Sequence, residues 1–143
     1  MAAEELGKEV GTVGEVGVLG IPHYTYHTHH YPQKKQNIMK RFAFKMQLRA
    51  GCEQEYERRH AAIWPELVEM IRQQGVSNYS IFWDRETNIL FGYQECSGEG
   101  SSQDTTDVDP ITQRWWDMMA DIMDTNPDHS PVTIPLQELF HLE

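Results

Sequence analysis

Tyr56 and His60 stand four residues apart in the run Y-E-R-R-H-A-A-I-W-P-E-L. On a helix that spacing places both side chains on one face, with Cβ atoms roughly 5–6 Å apart, so that both reach one small ligand. Imidazole, with an unperturbed pKa of about 6.5, gives and takes protons near neutrality. General acid/base catalysis by such a group contributes about 10²–10⁴-fold and requires no metal or redox cofactor. The plainer reading is a His and a Tyr that simply fill the buried face of a helix.

A second segment, Q-R-W-W-D-M-M, carries Trp115 and Trp116 side by side. Neighbouring helical positions differ by about 100°, so one indole is expected to pack in the core while the other lines a cavity. A tryptophan face suits the apolar C–H side of a sugar ring, and its N–H can bond a hydroxyl. Two core or interface tryptophans are the plainer alternative. Tyr79 is similarly open between a pocket wall and a buried edge residue.

These residues must be positioned by elements that the pattern of the chain predicts. K-R-F-A-F-K-M-Q-L-R, from Lys40 to Arg49, alternates strictly, with Phe42, Phe44, Met46 and Leu48 on one face, and predicts a half-buried strand. Tyr56, His60, Ile63, Leu67 and Ile71 recur at helical spacing up to a stop at Gly75. Pro65 lacks an N–H and restricts Trp64, which predicts a break with Pro65 opening a second helical segment. The runs Asn78 to Trp83 and Ile89 to Cys96 flank the turn-forming D-R-E-T-N and predict a hairpin. Ser97 to Asp107 reads as a polar, mobile connector, followed by Asp109 and Pro110 as the cap and first turn of a helix reaching about Met123. After the turn-rich N-P-D-H-S-P, the segment L-Q-E-L-F-H-L predicts a last short strand. The order β, α, β, β, α, β gives an α+β, ferredoxin-like βαββαβ sandwich with both helices on one face of the sheet. The opposite face would be open and apolar in a monomer, so sheet-against-sheet packing into a homodimer is expected.

Residues 1–38 show no sustained period and read as an N-terminal extension, with the domain at 39–143 and Met39 a possible start. The extension holds His23, His27, His29 and His30, a tract without acidic or cysteine partners, for which no physiological metal site is expected. Glu66, Glu69, Asp117, Asp121 and Asp124 fit solvated helix faces, which leaves paired-carboxylate chemistry without support. Among 143 residues with a net charge of −10, the basic footprint with which nucleic-acid binding begins is missing. No run approaches the roughly 18 apolar residues of a membrane span, and no secretory pattern opens the chain. Cys52 and Cys96 lack metal or redox spacing and read as free thiols, so a cytoplasmic protein is expected.

Several blocks taken together are more specific than any alone: F-x-M-Q-L near Phe44, E-Y-x-R-R-H-x-x-I-W-P-E-L from Glu55, N-Y-x-I from Asn78, Q-R-W-W-x-x-M from Gln113, and N-P-D-x-S-P with the closing L-Q-E-L-F. Over about Met39 to Leu142 the chain resembles the L-rhamnose mutarotase family. The resemblance implies a homodimeric α+β barrel, no metal or other cofactor, and interconversion of the α and β anomers of a small neutral sugar. It further implies that His60 is the proton donor and that Tyr56, Tyr79, Trp115 and Trp116 contact the sugar. The extension and the Gly/Ser/Asp connector depart from the family pattern. The competing reading is a haem- or small-aromatic-binding barrel of the same architecture, because fold alone does not decide function.

Overall fold

The computed structural model describes residues 38–143. All of the expected extension before Ile38, with its histidine tract, lies outside the described residues. The elements are β1 (Lys40–Gln47), α1 (Glu53–Ala61), α2 (Pro65–Gln73), β2 (Val76–Trp83), β3 (Ile89–Cys96), α3 (Pro110–Met119) and β4 (Ile134–Leu136). They form a small α+β fold: a four-stranded sheet of order β2-β3-β1-β4, antiparallel at every pairing. The α+β class is the one that the order of elements predicts.

Alternation on β1 works as the sequence requires. Phe44, Met46 and Leu48 are each no more than 4% exposed, and they join Leu90, Leu67, Met119, Ile122 and Met123 in one core between the sheet and the helices. Phe44 lies opposite Gly92 across the β1–β3 ladder. A Cβ on that glycine would clash with the outer edge of the Phe44 ring, so the missing side chain is what lets the phenyl group lie over β3. On the outer face the rows run Ile134, Lys45, Phe91, Phe82 and Leu136, Ala43, Tyr93, Ser80. Phe82 and Ile134 are more than half exposed there.

The break between α1 and α2 follows from Pro65. It occupies the first turn of α2, and Trp64 before it is extended at ψ 131°. Gly75 then ends α2 in the left-handed region at φ +85°, its N–H bonded to the Arg72 carbonyl. At the start of α3, Asp109 accepts from the N–H groups of Ile111 and Thr112, both at 2.9 Å, as its sequence position predicts.

Three expectations are corrected. First, α3 stops at Met119 rather than near Met123. Beyond it the backbone pairs with the end of β1 instead: Arg49 N–H donates to Ile122 O, Met123 bridges Leu48, and Asp124 N–H donates to Gln47 O. Ile122 and Met123 remain in the core, so their apolar periodicity reported burial and not helix. Second, L-Q-E-L-F-H-L is not a strand. The last strand is Ile134–Leu136, pairing with Ala43–Lys45, and Leu139, Phe140 and Leu142 beyond it are 79–88% exposed. Hydrophobic composition there marks uncovered surface, which periodicity cannot distinguish from sheet. Third, the connector is not merely a tether. Gln94, fully buried on β3, donates to Ser102 Oγ at 2.7 Å and accepts from Ser102 N–H at 2.9 Å, anchoring the connector to the sheet.

Candidate active site

A cavity of about 720 Å³ opens between the inner face of the sheet and the helices. That falls within the roughly 300–1,000 Å³ of small-molecule sites. All five residues singled out by the sequence line it: Tyr56, His60, Tyr79, Trp115 and Trp116.

Helical spacing on α1 stacks the Tyr56 and His60 rings, with centroids 4.2 Å apart and planes 25° from parallel. His60 Nδ1 lies 3.0 Å from the Tyr56 carbonyl oxygen. A carbonyl only accepts, so Nδ1 carries the hydrogen and Nε2 keeps its lone pair in the neutral ring. Burial pulls the His60 pKa below its ordinary 6.5, against the opposing effect of that hydrogen bond. The resting side chain is thus a neutral imidazole with Nε2 as its available base.

Trp115 meets the edge of His60 at 5.2 Å, and Trp64 meets Trp115 at 5.3 Å, both near-perpendicular. The break at Pro65 is what allows Trp64, at the N-cap of α2, to reach α3. The expectation that one of the paired tryptophans packs while the other lines a cavity is corrected: Trp115 and Trp116 are 8% and 4% exposed, and both belong to the core and to the cavity wall. The core and the cavity adjoin around α3, so the two positions 100° apart are both covered.

Tyr79 reaches the cavity through a β-bulge. Ser77 pairs with Glu95 and Ser80 with Tyr93, so Asn78 and Tyr79 together face the single residue Gln94. Asn78 takes φ +44°, and its side-chain amide donates to Glu95 at 2.8 Å. Without the extra residue, side-chain alternation would turn Tyr79 to the outer face; with it, Tyr79 turns inward. Burial raises the pKa of both Tyr56 and Tyr79, and both phenols stay protonated donors.

The R-R-H block has a structural explanation that spacing alone does not give. Glu55 binds both Arg58 and Arg59, and its carboxyl is held down to about 2 by them. Arg59, 14% exposed at its side chain, also donates to the Met118 carbonyl and to Asp121 at 2.7 Å. It thereby ties the last turn of α1, next to His60, to the end of α3. Sequence reasoning missed this role, and it also missed Ser102 and Gln103, which line the cavity from the connector. Only their polar type was visible in the sequence, without a periodic signal.

Taken together, the sheet and the cavity define a small α+β protein that holds a neutral histidine base within an aromatic-walled, small-molecule pocket. The model of the L-rhamnose mutarotase family matches residues 41–142. The chain belongs to the L-rhamnose mutarotase family. An L-rhamnose mutarotase of Bacteroides thetaiotaomicron is 62% identical over 105 residues, which are 73% of this chain and all of that protein. One from Phocaeicola vulgatus is 63% identical over the same length and coverage. The crystal structure of an L-rhamnose mutarotase from Formosa agariphila superposes with a TM-score of 0.66 at 50% identity, covering 73% of this chain and 99% of the other.

Proposed function

We propose that this chain is a cytoplasmic carbohydrate isomerase that interconverts the α and β anomers of L-rhamnose, with residues 39–143 as the mutarotase domain and His60 as the acid/base. The observation that carries this reading is the convergence of His60, Tyr56, Tyr79, Trp115 and Trp116 on one cavity in a member of this family.

With Nδ1–H committed to the Tyr56 carbonyl, Nε2 takes the proton of the anomeric hydroxyl while the bond between C1 and the ring oxygen breaks. The imidazolium returns that proton to the ring oxygen. One nitrogen serves both transfers, because the two oxygens are bonded to the same carbon. The open aldehyde turns about its C1–C2 bond, and the same steps in reverse close the ring on the other face. No net proton is consumed. Tyr56 and Tyr79, as neutral phenols, donate hydrogen bonds to sugar oxygens, while Trp115 and Trp116 cover the apolar C–H face. Exclusion of water by these buried rings strengthens each polar contact.

The working unit is proposed to be a homodimer in which the outer sheet faces close into an α+β barrel. Phe82, Phe91, Ile134 and Leu136, between 37% and 63% exposed, form an apolar patch on that face. The cytoplasmic reading is supported by two free thiols, Cys52 and Cys96; among the described residues no helix is long and apolar enough to cross a membrane.

Saturation-transfer NMR on equilibrated L-rhamnose tests the activity, because catalysis speeds exchange between the anomer signals without altering their ratio. The protein should accelerate exchange, and a folded His60→Ala variant should lose the acceleration. Exchange at the wild-type rate in that variant would eliminate the proposed mechanism.

A further inference from the structure

We propose that Gln103, on the connector before α3, is a positioning residue that aims the Tyr79 hydroxyl proton into the cavity and so toward the sugar. This inference rests on the activity proposed above and extends it to a residue outside the pattern of five.

Gln103 Nε2 donates to Tyr79 Oη at 3.3 Å. Thr133 Oγ1 donates to Oε1 of the same amide at 2.9 Å and so favours this orientation of its two ends. The same Nε2 also donates to Ser102 Oγ at 3.0 Å. Ser102 in turn is held from beneath by the buried amide of Gln94, through bonds of 2.7 and 2.9 Å. The phenolic oxygen has two acceptor sites and a single hydrogen. With Gln103 supplying a donor to the phenolic oxygen, the phenolic hydrogen is left for a partner elsewhere, and the open side of Tyr79 is the cavity that it lines. Burial keeps the phenol protonated, as donation requires. The connector, anchored to the sheet through Gln94 and to the segment before β4 through Thr133, thus converts an ambiguous hydroxyl rotor into a directed donor.

Two substitutions separate this role from packing. Gln103→Leu keeps the bulk but removes the donor. Gln103→Glu keeps the shape but offers an acceptor, which draws the phenolic proton away from the sugar. A single oriented hydrogen bond corresponds to a rate change of about tenfold. Each variant should therefore lower kcat/KM for anomer exchange by about tenfold in the otherwise wild-type protein, and by less than about twofold in a Tyr79→Phe background, where there is no proton left to aim. Melting curves identify any variant that fails to fold; the other then carries the comparison. Wild-type kcat/KM in a folded Gln103 variant, or the same tenfold loss repeated in Tyr79→Phe, would overturn the inference while leaving the activity in place. Absence of exchange catalysis in the unsubstituted protein would overturn both, and it is recognised before any variant is made.

Discussion

Replacing Asn78 by valine should destabilise the protein and slow its catalysis, although Asn78 does not line the cavity. Its φ of +44° lies in the left-handed region, where a residue with a Cβ pays about 1–2 kcal/mol, with β-branched residues at the upper end and asparagine below it. The substitution also removes the amide donation to Glu95, an exposed bond contributing about 0.5–1 kcal/mol. The sum is about 2 kcal/mol. At about 4–8 °C per kcal/mol for a domain of this size, the melting temperature should fall by roughly 8–16 °C. A chain that escapes the strain by dissolving the bulge shifts its alternation by one residue and turns Tyr79 out of the cavity, which removes a donor from the site. Thermal melts with NMR measurement of anomer exchange on Asn78→Val and Asn78→Gly read both effects. Glycine adopts positive φ freely, so Asn78→Gly should remain within about 1 kcal/mol of wild type and keep exchanging anomers. A valine variant that melts and turns over like wild type would refute the reasoning. Equal losses in valine and glycine would refute it as well, by assigning the effect to the Glu95 bond.

The pH dependence of catalysis follows from the buried imidazole. Desolvation disfavours imidazolium, so His60 reaches half-protonation only below its ordinary value of 6.5. The enzyme-dependent kcat/KM should fall on acidification with a midpoint below pH 6.5, as Nε2 loses its lone pair. A rate that rises on acidification, or an acid limb with its midpoint above 6.5, would contradict the lowered pKa of His60. Sedimentation velocity at micromolar concentration should give twice the chain mass, and Phe91→Asp, in the outer apolar rows, should give single chains. A wild-type monomer would remove the proposed barrel.

The sequence by itself determined most of the elements and most of the cast. The alternation of Phe42, Phe44, Met46 and Leu48 fixed a half-buried strand. Pro65 dictated the break after α1, and Asp109 with Pro110 dictated the start of α3. Spacing of four put His60 beside Tyr56. These features are legible because each depends on neighbours within a turn of helix or a few residues of strand. Tertiary structure decided what depends on residues far apart in the chain. The bulge that turns Tyr79 inward is defined only against β3. Arg59 acquires its role from Asp121 and the Met118 carbonyl, and Gln103 acquires its role from Tyr79 and Thr133. The end of α3 was set by pairing with β1, which outcompeted a helical pattern that continued in the sequence. Local preference selects among conformations by fractions of a kcal/mol per residue, whereas burial and long-range backbone pairing select by several, so the elements are written locally and the site is completed only when the chain is packed.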